Sequence, residues 1–409
     1  MNDLSIKIGD RTYPVAPDKA DLARQIAKNS PDGVIDESAL ESYVKSDHTS
    51  ETACSPTTVR GPHPGNIEAL AKEVGYGLAD VANPNESGYH NWDSLIKDYD
   101  KLAAANPNLV KKEVIGKSAE GRDILAYKIT EGAQGDTSNK TGVVITAGTH
   151  AREWSTEEAA LQFAKDMVAS DSDPTKKARL QNGEIWVVPS VNPDGYIYSQ
   201  TDDNMWRKNR RPLEVDQLGK PTSEVGTDIN RNFDDGNPAH ATLYRPDGDK
   251  PGITSDDFDA TSDDPGSEVY RGPSGASEPE TKTLQNLILN HKNIKGDIDF
   301  HSYGNDIFYP WDHTKEESPH AATYKEIGGK IADATGWSCA QGSALYLNSG
   351  DSDETWEANN VLSFCFEMGD SFQPDPSELP KISSEASKGS QVFVDEVLAR
   401  DKKGELPRA

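Results

Sequence analysis

The chain has 409 residues and a net charge of −27, from 42 Lys and Arg against 69 Asp and Glu. That length can bury one large α/β core plus a smaller appendage. The charge excludes broad attraction to nucleic-acid phosphates or anionic membranes, while favouring encounter with cationic substrates. No apolar run approaches the ~18 residues that a bilayer span needs. The opening Met1-Asn2-Asp3-Leu4-Ser5-Ile6-Lys7 lacks the basic region and apolar core of a secretory signal. Cys54, Cys339 and Cys365 are odd in number and widely spaced, which describes neither a disulfide framework nor a Cys-rich zinc site but leaves room for one disulfide.

Residues 1–85 carry helical patches at 22–27, at 40–44 and at Ile67, Leu70, Ala71, Val74 and Leu78, around a loop-like stretch between Cys54 and Gly65. Large apolar residues are few here, so this segment is expected to be an appendage. From Tyr89 the texture changes. Trp92, Leu95, Ile96, Tyr99 and Leu102 repeat at helical spacing, and Pro107 ends the helix. Residues 110–115 and 124–129 follow as a hairpin joined through Gly121.

Gly142-Val143-Val144-Ile145-Thr146-Ala147-Gly148 then reads as a short buried strand, delivering Thr149-His150-Ala151-Arg152-Glu153-Trp154 to the loop at its C-terminal end. Ser155 and Glu158 form a capping-box pattern ahead of the apolar-periodic Ala159, Leu161, Phe163, Met167 and Val168. An imidazole and a carboxylate three residues apart in such a loop can face one cation, and zinc accepts both donor types. Alone, the pair is a weak signal and reads more readily as a surface loop.

Further strands are expected at 185–189, 294–300, 307–309 and 362–366, with helices at 279–291 and 319–334. This alternation predicts a mixed, largely parallel twisted sheet with helices on both faces, with ligands outside the carboxyl ends of the strands. Residues 234–264, rich in Asp, Gly, Pro and Ser, match no EF-hand spacing and read as a solvated loop, with calcium binding as the alternative. Residues 401–409 read as a charged tail, and no internal repeat stands out.

Gly296-Asp297-Ile298-Asp299-Phe300-His301 is an alternating strand ending on a histidine, which supplies a third ligand and leaves the fourth position for water. Leu362-Ser363-Phe364-Cys365-Phe366-Glu367 runs apolar residues into a glutamate at a strand end, where a carboxylate facing a cleft can act as a base. Basic groups concentrate in Trp206-Arg207-Lys208-Asn209-Arg210-Arg211 and Asp228-Ile229-Asn230-Arg231-Asn232-Phe233. Arginine's planar fork suits a carboxylate or an oxyanion. Surface ion pairs are the alternative.

Taken in order, His150-Ala151-Arg152-Glu153-Trp154, Asn192-Pro193-Asp194-Gly195-Tyr196, the blocks at 206–210 and 228–232, Ser277-Glu278-Pro279-Glu280, His301-Ser302-Tyr303 and Phe366-Glu367 resemble the zinc metallocarboxypeptidases of the carboxypeptidase A/B family. The match runs from about Tyr89 to residue 398, giving a catalytic domain over 86–400 behind a propeptide-like or structural segment over 1–85. The resemblance implies one zinc ion per chain on His150, Glu153 and His301, with Glu367 as general base. It assigns Arg210 to the polarised carbonyl, Asn230 and Arg231 to the substrate's terminal carboxylate, Arg152 to the approach, and Tyr346 to a mobile tyrosine closing over the bound end. Asp353 falls nearest the position that sets side-chain preference, with Asp351 or Glu354 as alternative registers; each makes the pocket acidic and implies basic or mixed C-terminal residues. The implied partners are peptide or protein C-termini, acted on by a monomer, and secretion is implied although this sequence shows no signal. A peptidoglycan-directed zinc peptidase and a non-catalytic peptide-binding homologue are the competing readings.

Overall fold

The computed structural model describes residues 88–174, 176–213, 224–240, 243–244 and 260–406, together with the backbone of three short strands nearer the start. These are β1 (Ser5–Ile8), β2 (Arg11–Pro14) and β3 (Val34–Ile35). β1 pairs antiparallel with β2 and parallel with β3. A hairpin was not expected there, although Gly9-Asp10 between two short β-prone runs is a turn signal. The helical patches expected at 22–27, 40–44 and 67–78 lie outside the described residues.

The main sheet has eight strands: β4 (Val110–Lys117), β5 (Asp123–Ile129), β6 (Thr141–Thr146), β7 (Gly183–Val188), β8 (Ile294–His301), β9 (Asp306–Tyr309), β10 (Ser338–Gln341) and β11 (Leu362–Glu367). Their order is β10-β9-β11-β8-β6-β7-β5-β4. The central neighbours β11, β8, β6 and β7 run parallel, as do β9 and β10 at one edge. The joins β11–β9, β7–β5 and β5–β4 are antiparallel. The expected mixed, largely parallel sheet is what forms.

The strands sort their side chains by alternation. Val143, Ile145, Ile298, Phe300, Phe364 and Phe366 enter one core, shared with the helices α1 (Trp92–Ala105), α2 (Ser155–Ala169), α6 (Ala321–Thr335) and α8 (Leu379–Lys403). Val144, Trp186 and Val188 enter the opposite core, with Leu284, Leu287 and Ile288 of α5 (Pro279–Asn290) and Trp356 of α7 (Ser352–Ala358). Two shorter helices, α3 (Ala178–Asn182) and α4 (Pro193–Thr201), flank β7 in sequence. Among the described residues no helix is long and apolar enough to cross a membrane.

The longest helix, α8, was not anticipated as an element, although Leu379, Ile382, Ala386, Phe393 and Val397 repeat on one buried stripe. It runs three residues into the stretch that composition marks as a tail, where Arg400, Lys402 and Lys403 complement the negative helix end. Phe393 reaches the sheet because β8 has Gly296 beneath it, where a Cβ would stand 2.7 Å from the ring. The ring meets Phe364 edge-on, with centroids 5.6 Å apart. Phe393→Ala should cost about 3–5 kcal/mol of stability, the usual penalty for emptying a fully buried aromatic site, read as a lower urea midpoint with an unchanged denaturant slope.

Candidate metal centre and adjoining pocket

Strand order brings the site together. β8 lies between β6 and β11, so the loop after β6, the end of β8 and the end of β11 share one rim of the sheet. Gly148, at φ +64°, turns the chain out of β6. The expected capping box at Ser155 is absent: Trp154 precedes α2 in helical conformation without a side-chain cap. Thr156 holds the loop from inside, its hydroxyl accepting from the Gly148 amide at 3.1 Å and donating to the Glu153 carbonyl at 2.8 Å. Glu158 is spent on His90, accepting from its backbone N–H at 2.7 Å and meeting its ring at 2.8 Å.

His150, Glu153 and His301 are the group that could hold a metal ion among the described residues, with all three ligand atoms within 4.8 Å of one another. They are 5%, 2% and 1% exposed. His150 Nδ1 lies 2.8 Å from Glu153 Oε1. His301 Nδ1 lies 3.0 Å from both His150 Nδ1 and Glu153 Oε2. Each ring's other nitrogen faces a carboxylate: His150 Nε2 lies 3.2 Å from Asp228 Oδ1, and His301 Nε2 lies 3.0 Å from Asp299 Oδ2. Carboxylates only accept, so each Nε2 carries a proton, and the metal-binding form is the neutral ring whose Nδ1 presents a lone pair. In that form two ring lone pairs and a carboxylate converge on one point, which a positive charge satisfies: a metal ion or, without one, a proton on the His301 ring. Two nitrogens with one carboxylate form a donor set that zinc accepts. Burial opposes charge on Glu153, but the two histidines outweigh it and hold its carboxyl well below the usual range.

Glu367 ends β11 in register with His301. Its Oε2 is buried without a hydrogen-bond partner. Burial and the Glu153 charge push this carboxyl up to about 8 in the metal-free protein, and a cation on the neighbouring ligands would draw it down again.

His150, His301, Glu367, Asn230, Arg231 and Tyr346 border one cavity. Arg231 is anchored by its Nε to the Ala260 carbonyl at 2.6 Å and by one amino group to the Asn230 carbonyl at 2.6 Å, and it faces the Tyr346 hydroxyl at 3.5 Å. The Asn230 side chain donates to Asp351 at 3.0 Å and accepts from the Ser352 amide at 3.0 Å.

Three expected residues lie elsewhere. Arg210 is stacked 3.6 Å above the Tyr198 ring and 4.5 Å from Trp206. The arginine of that block beside the histidines is Arg207, whose Nε donates at 2.8 Å to the same Asp228 that meets His150. Arg152 pairs with Glu268 at 2.9 Å and lies 4.2 Å over Phe372, off the cavity. Asp353 accepts from Ser363 on the sheet. The acid at the cavity is Asp351, the cap residue of α7, which accepts from the Asp353 amide at 2.9 Å.

A second pocket acid, Asp312, had no sequence signal. Its Oδ1 is buried without a partner, beside Gly342, where any Cβ would collide with it. Burial, Asp351 and Glu354 all push the Asp312 carboxyl well above the usual range, and burial pushes Asp351 up to about 7. Missed too were Asp228 and Asp299, though Asp297-Ile298-Asp299-Phe300-His301 places Asp299, like Asp297, on the histidine's face by alternation. The described part of the Asp-rich 234–264 stretch commits carboxylates to protein, Asp235 to His240 and Asn359, and Asp263 to Arg271. Residues 241–242 and 245–259 lie outside the described residues.

Residues 95–389 match the family model described as zinc carboxypeptidase. The chain belongs to the zinc carboxypeptidase family. Rat carboxypeptidase A1 is 32% identical over 295 residues, covering 70% of this chain and 64% of the relative, and rat carboxypeptidase A2 is 33% identical over 298 residues with the same coverage. The chain thus spans less than two thirds of the curated relatives it matches. Bovine thrombin-activatable fibrinolysis inhibitor, solved with a tick carboxypeptidase inhibitor, superposes with a TM-score of 0.64 at 26% identity, over 76% of this chain and 98% of that one. Carboxypeptidase A from Helicoverpa armigera shares the fold, with a TM-score of 0.65 at 24% identity over 82% and 79% of the two chains. Family membership and the His150–Glu153–His301 cluster agree on zinc.

Beneath the metal centre the same sheet face stays polar: Ser363, Cys365 and Glu367 pair across β11–β8 with Asp297, Asp299 and His301. Asp297 is fully buried, its Oδ1 has no partner, and burial followed by the Asp299 charge raises its carboxyl well above the usual range. The folded state therefore keeps a proton that the unfolded chain releases above about pH 4, so stability from this group is present below that pH and lost as pH rises. Asp297→Asn should raise the melting temperature at pH 8, by the equivalent of about 1–3 kcal/mol for relieving an unsatisfied buried group, with no gain at pH 4.

Proposed function

We propose that the protein is a metallocarboxypeptidase that releases C-terminal residues, preferring basic ones. The observation that carries this reading is the convergence of His150, Glu153 and His301 on one point, beside the uncommitted Glu367 carboxylate and on the same cavity as Arg231. Zinc held there supplies a Lewis acid that polarises a carbonyl and acidifies water. Glu367 takes the proton of the attacking water and returns it to the departing amine. The Arg207 charge, fixed beside His150 through Asp228, stabilises the negative charge that develops on the carbonyl oxygen. Arg231 and Asn230 grip the free carboxylate of the substrate, and Tyr346, 3.5 Å from Arg231, covers it. Recognition of that carboxylate is what would make the enzyme an exopeptidase.

Preference follows from the pocket. Asp312 and Asp351 are buried acids whose carboxyls burial drives toward neutrality; Arg231, 3.8 Å from Asp351, opposes this, while Asp312 Oδ1 is left without a partner. A departing Lys or Arg side chain supplies that partner, and the net charge of −27 assists encounter. Secretion fits the disulfide at Cys339, since such bonds persist in oxidising compartments.

Glu367→Gln should lower kcat by about 10²–10⁴ at little change in KM, as expected for loss of a general base, with zinc content unaltered. A variant that stays fully active would overturn the mechanism and leave the fold untouched. Hippuryl-Arg should be cleaved in preference to hippuryl-Phe, and Asp312→Asn should narrow the gap by about tenfold or more, the worth of one charge-assisted contact. A strong preference for Phe would refute the pocket assignment. Arg231→Ala should raise KM by about 10²-fold for peptides with a free C-terminus, the cost of a lost bidentate pair; equal rates on amidated peptides would refute the exopeptidase reading.

A further inference from the structure

Asp299 lies two residues before His301 on the same face of β8 and is 1% exposed. Its carboxylate collects donors from four places. His301 Nε2 lies 3.0 Å from Oδ2. The Thr146 hydroxyl, at the end of β6, donates to Oδ1 at 2.9 Å. The Thr149 hydroxyl, in the loop that carries His150, lies 3.3 Å from Oδ1. The Ser352 hydroxyl, at the start of α7, lies 3.3 Å from Oδ2.

A carboxylate held from both oxygens cannot turn. Its fixed Oδ2 dictates which His301 nitrogen is protonated and where the ring plane lies. It therefore aims the Nδ1 lone pair at His150 and Glu153. The negative charge behind the ring also makes that lone pair a stronger donor. Asparagine, the same size, can still accept from His301 with its oxygen, but it carries no charge behind the ring and its amide nitrogen forces the hydroxyls to turn from donating to accepting.

We propose that Asp299 is a positioning residue for the metal centre, setting the tautomer, tilt and donor strength of His301 while binding the ends of β6 and β8, the metal-ligand loop and α7 to one anion. The proposal rests on the zinc reading of the site. In the full chain, Asp299→Asn should weaken Zn²⁺ affinity by about 10–100-fold in competition with a chromogenic chelator, the range for loss of a partner to a ligating histidine. The Co²⁺-loaded variant should show shifted and weakened visible absorption bands. Ser363→Ala, one register pair below on the same face, should leave both readings at wild-type values. If Asp299→Asn does not fold, Thr146→Val removes one of the four donors without changing shape and should weaken affinity in the same direction by about 2–10-fold. Affinity within about twofold of wild type and an unchanged cobalt spectrum in whichever of Asp299→Asn and Thr146→Val folds would overturn the inference, as would a Ser363→Ala loss equal to that of Asp299→Asn. A wild-type chain that takes up neither ion would instead overturn the zinc reading.

Discussion

Two imidazole nitrogens that lie 3.0 Å apart and face one carboxylate repel one another in a water-excluded site whenever both present the lone pairs that bind a metal. The fold has to hold them there against that repulsion, and it does so with position rather than local chemistry. Neighbouring strands lie about 4.8 Å apart. With β6, β8 and β11 adjacent and parallel, the residue leaving each strand emerges within reach of the next. The register Glu367↔His301 sets base and ligand side by side with no loop in between. A different strand order with the same sequence motifs would scatter them.

The anions around the histidines extend this logic downward. Asp228 serves His150 and Arg207 together, so one carboxylate orients a ligand and a cation at once. Asp299 gathers hydroxyls from β6, from the loop and from α7 around the other ring. Rigidity at the site is therefore bought with buried charge, and Asp297, an acid without a full set of partners, marks a place where that arrangement exceeds its hydrogen-bonding supply.

Alternation and turn chemistry made much of this legible. The main-sheet strands other than β10 were readable as β-branched or alternating runs, and the three metal-binding side chains stood at strand ends where a ligand crevice forms. What escaped has physical causes. β10 is four residues, Ser338-Cys339-Ala340-Gln341, and carries no pattern outside its pairing with β9. The stripe of α8 was present but punctuated by serines and glycine, two of which, Ser387 and Ser390, are buried through bonds to Asp166 and the Ala386 carbonyl. Arg207 and Arg210 sit in one irregular stretch with no periodicity to say which faces inward, and Tyr198 with Trp206 captures the second.

The pocket acid shows most sharply why spacing along the chain could not finish the argument. Asp351 and Asp353 are two residues apart across a helix start, where backbone geometry turns through a large angle at each step. At the cap position Asp351 must fold back to accept from the Asp353 amide, which leaves its other oxygen beside Asn230 and the cavity. Asp353, one residue into the helix, is swung onto the sheet and meets Ser363. Whether an aspartate faces substrate or core is thus decided by where the first turn of α7 begins, and that point is fixed by Asn230 accepting from the Ser352 amide across more than a hundred residues of chain. Asp312 depends on a similar long-range accident: its carboxylate has space because residue 342, on a different segment, lacks a side chain. Specificity in this fold is written in contacts between distant loops, which a reading of any single motif cannot reach.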